Sequence, residues 1–128
     1  MNPEFLDIED VIEIHKLQLA EFGGLDGIRG LELLDSAIAQ PKASFGGQFL
    51  HADLFAMAAT YLFHIVMNHA FLDGNKRTAL VVALTFLDIN GHPIGDPSPL
   101  LYNATVDVAE GRLGKDELAD LFRTLAAL

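Results

Sequence analysis

The chain contains no cysteine and no tryptophan, has few basic residues and lacks any long apolar run. Without cysteine it cannot staple itself with disulfides or build a thiolate zinc site, so an apolar core must carry the fold. Eight Lys and Arg against eighteen Asp and Glu leave a formal charge of −10, which repels a nucleic-acid backbone and an anionic membrane surface alike. Neither nucleic acid nor membrane is an expected partner. The longest nearly uncharged stretch, Leu54 to Met67, is broken by Thr60 and His64 and falls short of the ~20 residues that span a bilayer. The first ten residues are acidic where a secretory leader would be basic, so a soluble, cytoplasmic protein is expected. Apolar residues, by contrast, make up 51% of the 128 positions. That is enough for one core, and residues 1–128 are read as a single domain.

The apolar positions follow helical spacing almost throughout. Residues 8, 11, 12, 15, 19 and 22 mark an amphipathic helix from Asp7 to Phe22, stopped by Gly23-Gly24. Four glycines between Gly23 and Gly30 predict a loop, and Leu31, Leu34, Ala37 and Ile38 a short second helix ending at Pro41. The segment from Phe45 to Leu50 is a candidate for a small hairpin. Asp53 to Asn68 is apolar on nearly every face, and Lys76 to Ile89 carries no charge between Arg77 and Asp88, so both predict helices surrounded by protein. Ser98-Pro99 reads as an N-cap with proline at the first helical position. A fifth helix then runs to Ala109, and Leu118, Leu121, Phe122 and Leu125 form the stripe of a sixth. The expected fold is all-α, a compact bundle of about six helices with a loop between two buried ones.

That loop is the polar island of the chain. His69-Ala70-Phe71-Leu72-Asp73-Gly74-Asn75-Lys76-Arg77 brings together an imidazole, a carboxylate, an amide and two adjacent cations. Gly74 and Asn75 stand at a helix start, where free N–H groups and the positive dipole end attract anions. Lys76 and Arg77 oppose that dipole, and a bound phosphate would offset the repulsion. Asp73 suits Mg²⁺, the companion of nucleotide phosphates. His69 is a candidate general base. The same residues also suit a plain capping turn with a solvated basic pair, and spacing alone leaves both readings open.

The pattern His69-x-Phe71-x-Asp73-Gly74-Asn75-Lys76-Arg77-Thr78-Ala79 resembles the signature of the Fic/Doc superfamily, in the form carried by its Doc (death-on-curing) toxin branch. Upstream, Gly23-Gly24-Leu25-x-Gly27-Ile28-Arg29, then Leu33-Leu34-x-Ser36-Ala37 and Pro41, are similar to the stretch that precedes this motif in Doc-like proteins, and Phe45-Gly46-Gly47 fits that fold's target-docking flap. The resemblance implies His69 as catalytic base and Asp73 as the Mg²⁺ ligand. It implies Gly74, Asn75, Lys76 and Arg77 as the ATP-phosphate cradle and Phe71 as the core anchor of the loop. Three positions depart from the common Fic pattern, with Ala70 for proline, Lys76 for glycine and Leu80 for a second arginine.

The departures at 76 and 80 are shared with the Doc branch, which binds ATP in the reversed sense and passes its γ-phosphate to a threonine of elongation factor Tu, blocking translation. The implied function is therefore a Doc-like kinase toxin of a type II toxin–antitoxin system, with ATP and Mg²⁺ as cofactors and a Phd-like antitoxin as partner. AMP transfer to a protein hydroxyl is the alternative, and a non-catalytic nucleotide- or protein-binding module a further one. A self-silencing helix of the Fic kind is not expected, because Thr105 and Glu110-Gly111 are spaced one residue too far apart. His15 and His64 are expected as satisfied core histidines, Tyr61 as packing, and Arg29 as a solvated loop residue with a possible reach to nucleotide or partner.

Overall fold

The computed structural model describes residues 2–95 and 99–128. Six helices carry the fold: α1 (Ile8–Phe22), α2 (Leu31–Ala39), α3 (Leu54–Asn68), α4 (Asn75–Ile89), α5 (Leu100–Ala109) and α6 (Lys115–Ala126). A two-stranded antiparallel hairpin, β1 (Ser44–Phe45) and β2 (Gln48–Phe49), pairs Ser44 with Phe49 and Phe45 with Gln48, as the sequence suggested. The two helices expected at the centre are there. α3 packs most extensively on α4 and then on α6, with α1 and α5 against α4 and α2 against α3. Met57, Ala58, Tyr61, Leu62 and Ile65 of α3 and Ala79, Val82, Ala83, Phe86 and Leu87 of α4 are buried, which is why neither helix shows a polar stripe.

Capping chemistry sets the helix starts. Asp7 and Asp10 form a reciprocal capping box on α1, with Asp10 N–H donating to Asp7 Oδ1 at 2.9 Å and Asp7 N–H to Asp10 Oδ2 at 3.0 Å. Asp53 caps α3 by accepting from Ala56 N–H at 2.8 Å and also receives Nε (2.9 Å) and Nη2 (3.2 Å) of Arg123. One carboxylate thus starts α3 and docks α6. Tyr61 Oη accepts from Leu6 N–H at 3.0 Å and donates to Leu6 C=O at 3.2 Å. Burial pushes its phenol up to about 12, so the hydroxyl stays protonated while it bonds the segment leading into α1.

Some boundaries and roles differ from expectation. α2 stops at Ala39, and Pro41 lies in a 3-10 turn (Gln40–Lys42) that follows it directly. α4 begins at Asn75. Pro99 is the N-cap of α5 and Leu100 its first residue, while the expected Ser98 cap lies outside the described residues.

His64 is half-buried rather than a core residue, and its Nε2 accepts from Lys115 Nζ at 3.3 Å. Partial burial, reinforced by the Lys115 charge and then by His51, pushes its imidazole down from 6.5 to about 4. Between those values the unfolded chain binds a proton that the folded chain refuses, so this contribution is whole above pH 6.5 and is lost as the pH falls towards 4. The urea midpoint should therefore drop between pH 7 and pH 5, and drop less in His64→Gln. Equal drops in the two proteins would remove His64 as the cause.

Candidate functional site

The loop joining α3 to α4 is held by bonds from three directions. α3 ends at His69, which adopts the left-handed conformation (φ 49°, ψ 49°) and is the one non-glycine residue of positive φ among the described residues. Below it the glycine-rich segment runs antiparallel to the loop. Arg29 N–H donates to Ala70 C=O at 2.7 Å and Leu72 N–H to Gly27 C=O at 3.0 Å, with Ile28 bridging Phe71. From inside the protein, His15 of α1 stacks on Phe71 with ring centroids 3.8 Å apart and planes 9° apart. Its Nε2 lies 2.8 Å from Asp73 C=O, and because a carbonyl only accepts, His15 carries its proton on Nε2.

Asn75 supplies the third direction. Its Nδ2 donates to Phe71 C=O at 2.9 Å and its Oδ1 accepts from Phe71 N–H at 3.1 Å. Both polar atoms of the side chain are thus engaged by the loop. Phe71 is fully buried, as an anchor must be. Asp73, exposed, accepts from Gly74 N–H at 2.8 Å and Leu25 N–H at 3.2 Å. The approach of Gly24 to this carboxylate admits no side chain: a Cβ there would lie 2.8 Å from Asp73 Oδ2, at φ +122°. Glycine at 24 is the condition for Asp73 to sit where it does.

Above the loop opens a cleft of about 490 Å³, lined by His69, Asp73, Gly74, Lys76, Arg77 and Arg29 among others. All six motif residues assigned catalytic or binding roles from the sequence, Asn75 among them, line it. Gly74 caps α4 in the left-handed region (φ 76°) and no side chain caps that end, so the first amides of α4 remain without intrahelical partners. Three of the eight basic residues of this acidic chain converge here, with a helix N-terminus between them. That is the electrostatic signature of a polyanion site. Arg29, in the glycine-rich segment, is exposed and forms part of this wall.

Two side chains that line the cleft carried no signal in the sequence. Phe22 closes α1 and Tyr102 lies in the first turn of α5, and the Arg77 guanidinium sits between them, 3.9 Å from one ring centroid and 4.5 Å from the other. Only the packing of α1 and α5 on either side of α4 brings them together. Leu80, at the position where a second arginine would stand, is buried and faces a separate groove between α1, α4 and α5. Arg77 is therefore the arginine that α4 contributes to the cleft.

For Mg²⁺, Asp73 is the one carboxylate of this wall, and the described residues hold no group of three or more metal-ligating side chains. An isolated protein-only cage is thus absent among them. A single carboxylate beside an anion site does fit Mg²⁺ held jointly by protein, phosphate oxygens and water.

Residues 5–87 match the family model described as the Fic/DOC family. The chain is 37% identical over 117 residues to the "Protein kinase doc" of Escherichia phage P1, an alignment covering 91% of each protein. It is 44% identical over 88 residues to the "Toxin Doc" of Mycolicibacterium smegmatis, covering 69% of this chain and 65% of that protein.

Proposed function

The chain belongs to the Fic/DOC family, and from that premise we propose that it is a Doc-type toxin kinase, which uses Mg²⁺ and ATP to phosphorylate a threonine of elongation factor Tu and is silenced by a Phd-like antitoxin. The observation that carries this reading is the single cleft in which His69, Asp73, Lys76, Arg77 and the uncapped start of α4 meet. The relative that aligns along 91% of its length is named a protein kinase.

The chemistry asks little covalent work of the protein. His69 takes the proton from the target hydroxyl as its oxygen bonds the γ-phosphorus, and the bond from that phosphorus to the bridging β–γ oxygen breaks, releasing ADP. Lys76, Arg77 and the amides at the start of α4 neutralise the phosphoryl oxygens. Asp73 would hold Mg²⁺, which supplies charge neutralisation of the nucleotide phosphates when bound. Burial of Phe71 and the bonds of Asn75 keep these groups in one geometry, so that little reorganisation remains at the moment of transfer. The groove between α1, α4 and α5, lined by Leu80, Val81 and Leu84 and sharing Phe22, Arg77 and Tyr102 with the cleft, is the surface we assign to the antitoxin.

Two parallel reactions test the reading, with purified protein, Mg²⁺, elongation factor Tu, and ATP labelled on either the γ- or the α-phosphate, each beside a His69→Ala control. Label from the γ position alone is expected, and none from the control. Label from the α position instead would make the protein an AMP transferase, and an unlabelled elongation factor in both reactions would overturn the assigned target.

A further inference from the structure

Among the described residues, Arg77 is the one cation set against two aromatic rings, Phe22 and Tyr102. The other two arginines outside the cleft find carboxylates: Arg112 pairs with Asp107 and Glu110, and Arg123 with Asp53 and Asp120. Among the described residues Arg77 makes neither an ion pair nor a side-chain hydrogen bond, although the chain has eighteen acidic residues to offer. It also stands beside Lys76 in the first turn of α4, where the dipole and its neighbour both repel it. What holds it is apolar. Two aromatic faces lie at 3.9 and 4.5 Å from its central carbon, well inside the ~6 Å over which a ring quadrupole attracts a cation.

The two ways of holding an arginine differ in what they leave over. A carboxylate partner takes the N–H edge of the guanidinium, the same fork that would grip a phosphate. A ring takes only the face. Contact with two ring faces therefore restrains the guanidinium while its donors stay unspent. It also removes much of the rotamer freedom that a solvated arginine would lose on binding. Phe22 is 51% exposed at the last residue of α1, so its position is not explained by the core.

We propose that Phe22 and Tyr102 are positioning residues of the phosphate site, which hold Arg77 against their ring faces so that its N–H groups meet the ATP phosphates preformed. The proposal rests on the ATP-dependent reading above. It assigns a function to two side chains, on α1 and α5, that lie outside the motif.

The test is a double-mutant cycle read by calorimetric titration of ATP with Mg²⁺ and by initial rates of γ-label transfer. Phe22→Leu and Tyr102→Leu are each expected to weaken ATP binding about 2- to 5-fold, the range of an exposed cation–π contact. Tyr102→Phe, which keeps the ring, should restore the affinity. In an Arg77→Ala background the same ring losses should have no further effect. A ring that served only packing would lower stability and affinity equally in both backgrounds, and that additivity would overturn the proposal, as would wild-type affinity in both leucine variants. Phe22→Leu keeps the cycle informative if Tyr102→Leu fails to fold, since Phe22 is half in solvent. The two readings fail differently: a wild-type protein that does not bind ATP sinks the kinase reading and the clamp with it, whereas a wild type that binds, beside an Arg77→Ala of weakened affinity and ring variants of wild-type affinity, sinks the clamp alone.

Discussion

Replacing His69 with glycine should abolish transfer and leave the protein more stable. His69 is exposed and ends α3 at φ 49°, ψ 49°, a conformation that costs an L-residue roughly 1–2 kcal/mol and glycine nothing. Glycine gains more freedom in the unfolded chain, which returns part of that difference, so a net stabilisation of about 0.5–1 kcal/mol is expected in urea unfolding. The same change removes the imidazole that takes the hydroxyl proton, a loss of about 10²- to 10⁴-fold in transfer rate. His69→Ala removes the base but keeps the left-handed strain, and should lose activity without the gain. If His69→Gly were less stable than the wild type, side-chain contacts rather than catalysis would account for a histidine there. If it transferred phosphate at the wild-type rate, His69 would not be the base.

Phe71→Ala should cost about 3–5 kcal/mol, the range for truncating a buried aromatic ring. Against a total of roughly 5–15 kcal/mol for a domain, that brings the chain close to unfolding. Phe71 is fully buried, and more than its area holds it in place. Its ring is one half of the His15 stack, and its backbone takes both bonds from Asn75 and the bridge to Ile28. Losing the ring leaves His15 facing a void on one side while its Nε2 still holds Asp73 C=O. Phe71→Leu should recover more than half of the loss, because it refills most of the volume. Thermal and urea unfolding of the two variants measure this directly. An alanine variant within about 1 kcal/mol of the wild type would mean that the loop is held by its hydrogen bonds and not by its anchor.

The contrast between these two positions shows which parts of the molecule were legible in sequence. The six helices and the hairpin followed from periodicity and glycine placement, because α3 and α4 are so apolar that only a surrounded helix suits them. The motif residues were legible because nine consecutive positions carry them. What periodicity does not encode is how distant segments meet. The antiparallel register of Ile28 on Phe71 is a tertiary fact. So is the destination of the His15 proton: burial of His15 was expected, but not that it would be satisfied by the carbonyl of Asp73. Asn75 lines the cleft and also bonds Phe71 N–H and C=O with its side chain, a second duty that spacing did not predict. Phe22 looked like the tail of an apolar stripe, and nothing in the spacing of α5 marked Tyr102. His64 was expected in the core because α3 is apolar nearly all round, yet the start of α6 leaves that point of its surface half open and sets Lys115 against it.

The pairing of the glycine-rich segment with the loop also decides how the protein comes apart. The amide protons of Arg29 and Leu72 are locked by the same antiparallel ladder, so neither exchanges with solvent unless both segments separate. Separation frees Asp73 from Leu25 N–H in the same event. Competence for chemistry and protection of these two amides therefore belong to one cooperative unit, whose opening free energy lies below that of global unfolding while α3 and α4 remain packed. A partner that clasps the glycine-rich segment from outside would raise that opening energy without touching a single reacting atom.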